Sequence, residues 1–584
     1  MRRKRWRCAT WRKENRGPTV DNHEVAQRFE ELADLLEFKG ENAFKIRAYR
    51  RVARVLDDLT EDVAELAAAG TLRNLPGVGE ATAKKINEYL ETGKITRLEQ
   101  AKKGVPPGIF DVLRIQGVGP KRAALLYKEI GVDGVDALEK AAQAHHVRDL
   151  PGMGEKSEEN ILRGIRLTRA GAERMLLSVA LAAANAVVDE LKSQRGLVSR
   201  ITPAGSLRRR RESIGDVDIL ACGRDPAKII QAFTHGSHVS DVLVAGDTKA
   251  SVVVTRGPQV DLRVVEPKQF GAALQYFTGS KAHNIKLRGI AKQKKMKINE
   301  YGLFKGRKVV ASAEEEDIYR ALGMEPMPPE LREDRGEIEA AIEGRLPKLV
   351  EHKDIKGDFH VHSSHSDGKH SISEMADAAK DAGYKFIVIT DHSKSLRIAN
   401  GLTEQRVRKQ MKEIAALNRK LRGIRVLCGI EVDIKSDGTL DLPDGLLAEL
   451  DVVIAAIHSA FKQSREKIMA RMAVAAKNPH VDIIAHPTGR LIGQRDEYDV
   501  DVPELIRMAA ATKTALEINA HPERLDLNDI YCRMAKEHGV KVAIGTDAHR
   551  AAGLDLMGLG VAVARRGWLA KRDVLNTNAT PRFK

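Results

Sequence analysis

Residues 357–370 read GDFHVHSSHSDGKH and gather His360, His362, His365 and His370 around two aspartates, in a chain of 584 residues that has only 18 histidines. His360 and His362 stand two apart in a strand-like run, so their side chains leave one face and can reach one metal ion. Asp367 follows in an SDG loop. Downstream, apolar runs end in further ligand types: His392 after KFIVITD, Glu431 after VLCGI, His458 after VVIAAI, His486 after DIIA, and Asp547 with His549 after VAIGT. One histidine at a strand end is ordinarily structural; agreement across six strand ends is a pattern. Nine nitrogen and oxygen donors exceed what one ion takes, so two or three ions sharing carboxylates are implied, a centre suited to phosphate ester hydrolysis. A His/Asp/Glu set without cysteine suits Mn²⁺, Zn²⁺ or Fe²⁺. His365 and His370 fall outside the set.

A second cluster lies in GSLRRRRESIGDVDIL, residues 205–220. Gly205-Ser206 reads as a turn, and Asp216 and Asp218 sit at strand spacing with Val217 facing the core between them. Like charges this close repel unless divalent cations intervene. Asp261, in QVDLRVV, brings a third carboxylate from another strand. Together they can hold two Mg²⁺ or Mn²⁺ ions about 3.5 to 4 Å apart, the requirement for nucleotidyl transfer.

Three kinds of element must position these groups. Residues 22–170 read as short helices with a recurring phrase: LPGVGEATAKKI (75–86), IQGVGPKRAALL (115–126) and LPGMGEKSEENI (150–161). Each carries Gly-x-Gly before a helix, namely Gly77/Gly79, Gly117/Gly119 and Gly152/Gly154, so backbone N–H groups can approach a phosphate with no Cβ in the way. From 171 to 340 the pattern is mixed, with a helix at 172–194 and strand-like RITPAGSL, DVDILAC, SVVVT and QVDLRVV. MEPMPPELRED and a charged helix to about 350 read as a connection. After 357, seven units of apolar strand, polar loop and amphipathic helix predict a closed or nearly closed α/β barrel, with chemistry at the C-terminal strand ends.

Composition agrees with this division. The length exceeds one hydrophobic core. Lys and Arg exceed Asp and Glu by 16, which favours a polyanionic partner such as DNA. Four scattered cysteines exclude a disulfide framework and suggest a reducing, cytoplasmic setting. The most apolar helical stretch, MLLSVALAAANAVV, is too short to span a membrane, and the basic opening MRRKRWRCATWRKENRGP has no apolar centre of a signal peptide.

The motifs GDFHVHSSHSDG, ITDHS, GIEVD, AIHS, AHP and GTDAH resemble those of the PHP (polymerase and histidinol phosphatase) domain. The resemblance implies a distorted (β/α)₇ barrel with a three-metal centre, all nine ligand positions being filled. The middle region resembles the nucleotidyltransferase palm of family X DNA polymerases, typified by DNA polymerase beta, and YFTGSKAHNIKLR and NEYGLF continue the match into the thumb. By position, the resemblance implies catalysis at Asp216, Asp218 and Asp261, with Gly205, Ser206, Arg209 and Gly215 at the triphosphate. Tyr276, Phe277 and Gly279 would flank the sugar, Asn284 would meet the incoming base, and Arg288 the template strand. Arg210 stands where the family has a small residue, and Gln259 where polymerase beta has an arginine. The N-terminal region resembles that family's DNA-end-binding domain, with Lys85 at the lyase position and Ala81 replacing another pocket lysine.

From about residue 22 to the end, the chain is thus identified as similar to bacterial family X DNA polymerases with a C-terminal PHP domain. The implied division is a basic arm (1–21) expected to be disordered, a lyase-like domain with the first helix-hairpin-helix (22–100), and further hairpins (101–170). The palm (171–265), a nucleotide- and template-binding subdomain (266–340), a linker (341–356) and the PHP domain (357–584) follow. Implied partners are deoxynucleoside triphosphates and gapped, nicked or primer–template DNA, bound by a monomer. The implied role is gap filling in base-excision repair with 3′–5′ exonuclease activity, and abasic-site cleavage or 3′-phosphatase as extras. Two rival readings are a DNA-end nuclease whose palm is a binding platform, motivated by Arg210, and a non-enzymatic DNA-binding scaffold, which leaves both ligand sets unexplained.

Overall fold

The structure, a computed structural model, describes residues 22–579 except 58, 60–62, 114, 116, 117, 173 and 256. The arm at 1–21, and Gly117 of the second Gly-x-Gly phrase, lie outside the described residues. The chain divides into two compact units, Met1–Glu173 and Arg174–Lys584.

The first unit is helical. Val25, Phe29, Leu32 and Leu36 recur at helical spacing in Asn22–Phe38 and are all buried, the signature of one face turned to a core. The helices Glu80–Thr92 and Pro120–Ile130 begin directly after Gly79 and Gly119. Pro120 occupies the first helical position, where its missing N–H costs nothing, and both helices stop at a left-handed glycine, Gly93 or Gly131.

The second unit opens with a five-stranded mixed sheet. Strands β1 (Arg200–Pro203), β2 (Val217–Cys222), β3 (Val239–Ala245), β4 (Lys249–Val254) and β5 (Gln259–Val264) lie in the order β1-β2-β5-β4-β3. β2 and β5 run parallel with Asp218 opposite Asp261, while Val217, Ile219, Val260 and Leu262 are buried. RITPAGSL does not continue as a strand: Gly205–Arg208 coils into a helical turn after Pro203. The helix expected at 172–194 spans Leu177–Ser193, because Met175-Leu176 pairs instead with Ser213-Ile214. β3 escaped the apolar pattern because it is an edge strand with Val242 and Val244 exposed.

Helices Phe270–Thr278 and Lys281–Gln293 follow, then a three-stranded antiparallel sheet of β6 (Lys297–Asn299), β7 (Gly302–Lys305) and β8 (Lys308–Ala311). The charged helix expected to reach about 350 is Glu337–Ile342 only. The connection after it is packed: Leu349 bridges Ala570, and the buried Val350 donates its N–H to Leu569 O at 2.9 Å.

Seven parallel strands complete the unit: β9 (Gly357–Val361), β10 (Phe386–Ile389), β11 (Arg425–Asp433), β12 (Val452–Ala456), β13 (Ile483–Ile484), β14 (Ala515–Asn519) and β15 (Val542–Gly545). They pair in chain order, and the ring closes through a parallel bridge between Val361 and Ala548. The result is a (β/α)₇ barrel. Phe359, Phe386, Val388, Ile454, Ile483 and Ala543 form an apolar cluster within it. The register of β9 on β10 slips between Asp358 and Val361, an irregularity that re-aims the strand where its histidines emerge.

Candidate functional site

All nine residues expected as barrel ligands meet at the C-terminal strand ends. Three sets have ligand atoms within 4.8 Å of one another: His362, Asp367, His392 and His549; His360, His362 and Asp547; and His392, Glu431 and His458. His486 joins through Glu431, its Nε2 lying 3.0 Å from Oε1. Glu431 also lies 2.7 Å from His392 Nδ1 and 3.2 Å from His458 Nε2. Yet His360 Nε2, both ring nitrogens of His362, His392 Nδ1 and Glu431 Oε2 are buried and satisfied by no hydrogen bond in the protein. Lone pairs packed together without bonding one another fit divalent cations, and the donor chemistry agrees. His486 and Asp547 take positive φ values of 28° and 55°, strain held where the ligands must converge.

The electrostatics follow from this crowding. Burial opposes charge on His360, but Glu517, Asp547 and Glu431 outweigh it and raise its pKa. Burial and the neighbouring His392 hold His362 down to about 4, and burial with Arg524 does the same to His486. His458 is raised to about 9: burial opposes this, and Glu431 and Asp433 prevail. Glu431 lies well below the ordinary carboxylate range despite burial, because His392, His458 and His360 surround it.

Sequence reasoning missed the carboxylates behind the ligands. Glu517 Oε1 accepts from His360 Nδ1 at 2.6 Å, and its Oε2 accepts the backbone N–H of His486 at 2.6 Å. Asp433 Oδ1 accepts the N–H of His458 at 3.2 Å and lies 3.5 Å from its Nδ1. His549 Nδ1 donates to Asp547 O at 2.8 Å. The bonds at His360 and His549 fix the ring orientation and leave the other nitrogen inward. The available signal was an acid inside an otherwise apolar parallel strand, as in TALEIN and GIEVD. Gly545 of GTDAH makes room for this pair, since a Cβ there would fall 2.4 Å from both Glu517 Oε1 and His360 Cβ. His365 and His370 lie outside the centre: His365 Nε2 pairs with Glu413 at 3.0 Å, and His370 Nδ1 accepts from Ala551 N at 3.3 Å.

In the palm, burial first, and then the charges of Asp216 and Asp261, push the Asp218 carboxyl up to about 7. An oxygen-only set that is mutually repelled fits hard divalent cations. Gly205 allows the close approach here, because a Cβ would fall 2.4 Å from Asp218 Oδ2. Gln259 Nε2 donates to Asp261 Oδ1 at 2.8 Å, which steadies the third carboxylate. Ser206 and Gly215 are half-buried nearby in the chain. Arg209 donates to Glu333 and Thr278 O, at 3.0 and 2.8 Å. Arg210 takes φ 57°, the left-handed conformation that favours glycine, and burial lowers its pKa against the opposing charge of Glu330. Tyr276 and Phe277 pack edge to face at 5.2 Å. Asn284 Nδ2 donates to Tyr276 O and Gly279 O at 2.7 and 3.2 Å, and Gly279 passes so close that a Cβ would fall 2.4 Å from Asn284 Oδ1. Arg288 Nε is buried without a hydrogen-bond partner.

In the helical unit, a Cβ added at Gly79, Gly119 or Gly154 would meet nothing within 4 Å, so these helix starts are open to an approaching backbone. Gly77 and Gly152 make the preceding turns at φ 84° and 74°. Lys85 is half-buried, with Nζ donating to Ala81 O at 3.1 Å and 5.8 Å over the Tyr49 ring.

Comparison with known proteins matches four regions of the chain. Residues 20–95 match the helix-hairpin-helix domain, 109–167 the SAM-like helix-hairpin-helix tandem, 273–333 the DNA polymerase beta thumb, and 358–521 the PHP domain. The "DNA polymerase/3'-5' exonuclease PolX" of Bacillus subtilis (strain 168) is 42% identical over 560 residues, covering 95% of this chain and 97% of that protein. A probable phosphatase of Thermoanaerobacter sp. (strain X514) is 32% identical over 232 residues, 38% of this chain and 90% of its own. Similarity of this extent, on a chain with both ligand sets, means that it belongs to the family X DNA polymerases that carry a C-terminal PHP domain.

Proposed function

We propose that this chain is a DNA-directed DNA polymerase that fills short gaps in base-excision repair, with a 3′–5′ exonuclease in its barrel that trims the 3′ end. The carrying observation is the coexistence of two separate ligand sets, Asp216/Asp218/Asp261 and the nine-residue barrel centre, in a chain similar over nearly its full length to the B. subtilis protein whose name joins both activities. When bound, divalent cations would supply Lewis acidity and charge neutralisation, two Mg²⁺ or Mn²⁺ on the palm aspartates and two to three Mn²⁺, Zn²⁺ or Fe²⁺ on the barrel ligands.

The remaining work belongs to the chain itself. Gly205, Ser206, Arg209 and Gly215 are assigned to the triphosphate, and Tyr276, Phe277 and Gly279 to the sugar. Asn284 meets the base once its amide leaves the carbonyls of Tyr276 and Gly279. Arg288 has a spare buried donor for the template strand. The Gly-x-Gly helix starts at Gly79, Gly119 and Gly154 grip phosphates of a gapped, nicked or primer–template duplex without reading sequence. Glu517 keeps His360 oriented throughout exonuclease turnover.

The test is extension of a labelled primer on a 5′-phosphorylated one-nucleotide gap with Mn²⁺, with and without deoxynucleotides. Asp216→Ala/Asp218→Ala is expected to lose extension and keep shortening, and His360→Ala/His362→Ala the reverse. Joint loss of both activities in either variant would refute two independent centres.

A further inference from the structure

Two arginines from distant parts of the chain meet on one carboxylate oxygen. Arg209 Nε, on the palm, donates to Glu333 Oε1 at 3.0 Å, and a terminal nitrogen of Arg566, at the end of the barrel helix Met557–Arg566, donates to the same oxygen at 3.0 Å. Arg566 also donates to Arg209 O at 2.7 Å and, through its other terminal nitrogen, to Asp529 Oδ2 at 2.7 Å. The three side chains are well buried: Arg209 is 13% exposed, Glu333 10% and Arg566 4%. Arg211 stands 3.9 Å from the shared oxygen.

A triphosphate and Glu333 compete for the same guanidinium. Recruiting Arg209 to phosphate oxygens breaks its bond to Glu333, and stranding a buried carboxylate without a partner is costly. Glu333 is not stranded, because Arg566 remains on the same oxygen. We infer that Glu333 holds Arg209 in reserve and that Arg566 of the barrel is a positioning residue, keeping Glu333 neutralised when Arg209 turns to the nucleotide. The barrel thereby tunes the nucleotide affinity of the palm. This rests on Arg209 being a triphosphate contact, as assigned above.

The two partners act with opposite sign. Removing the charge of Glu333 frees Arg209, whereas removing Arg566 leaves Arg209 as the main counter-ion of Glu333 and ties it down. The experiment is single-nucleotide incorporation by the full-length protein on a gapped duplex, giving KM for the complementary deoxynucleoside triphosphate and kcat separately. Exonuclease activity on a single strand and the thermal midpoint are measured alongside. Glu333→Gln is expected to lower KM, and Arg566→Gln to raise it, each by about three- to tenfold, the scale of one ordinary net hydrogen bond, with kcat and exonuclease activity retained. Arg566→Lys restores most of the affinity, and in a Glu333→Gln background Arg566→Gln changes nothing further. Shifts in the same direction, or an Arg566→Gln effect that persists without the Glu333 charge, overturn the inference. If Arg566→Gln fails to fold, Glu333→Gln decides alone, an unchanged or raised KM being fatal. Arg209→Gln separates the premise: if it leaves KM unchanged, the triphosphate assignment is wrong, independently of the relay.

Discussion

The barrel's chemistry depends on residues that would never touch substrate. Glu517 is a buried acid whose carboxylate accepts from His360 Nδ1 and from His486 N, so one side chain orients two ligands. Glu517→Gln would turn an acceptor-only group into one that also presents an N–H, and the His360 tautomer would no longer be imposed. Metal affinity measured by titration of the chelated protein is expected to fall about 10- to 100-fold, with shortening of DNA reduced in parallel and extension unchanged. Equal metal affinity in the variant would show that His360 needs no orienting partner. What the sequence disclosed at this scale was the set of side chains that the barrel brings together, because period-two spacing and strand-end position are local properties. What it concealed were Glu517 and Asp433, whose role is defined only by which strand lies next to theirs.

At the scale of elements, the helix starts of the Gly-x-Gly phrases are repeated units with an open approach at Gly79, Gly119 and Gly154. A carboxylate placed there puts negative charge where a phosphate would lie. Gly79→Asp is expected to weaken duplex binding uniformly across sequences and to reduce the salt slope by about one unit, read from binding curves at several ionic strengths. A loss confined to one sequence, or an unchanged slope, would remove this helix from the backbone interface. The phrases were legible because glycine before a helix is a short-range signal. β3 was not: an edge strand with exposed valines lacks the alternation that marks a buried face. Nor was the helical turn at Gly205–Arg208, where apolar and small residues are compatible with either structure.

Across the whole molecule, charged groups couple segments far apart in the chain. Arg208 forks onto both oxygens of Glu315 at 2.8 Å each, and Arg332 donates to the same carboxylate. Burial alone would raise the Glu315 pKa, but Arg332 and then Arg208 hold it down to about 2. A carboxyl depressed on folding adds stability above its unfolded pKa near 4.5, and that share is lost as pH falls through about 2. The span is worth roughly 3 kcal/mol. Urea unfolding is therefore expected to show Glu315→Gln less stable by roughly that amount at pH 7, with the gap to the unaltered chain narrowing steadily below pH 4.5. A gap independent of pH would mean that the ion pairs contribute only packing. No sequence window contains such a pairing, since Arg208 and Glu315 are 107 positions apart.

The placement of the two ligand sets along the polypeptide has a consequence for the chain during its own synthesis. The palm carboxylates are all present once Asp261 has been added, whereas the set proposed for the barrel is one member short until His549 follows. Any premature stop in the 287 residues from 262 to 548 spares the first set and breaks the second. The groups proposed for extension are thus synthesised before the last of those proposed for shortening, and a nascent chain holds the second set only once His549 has been added.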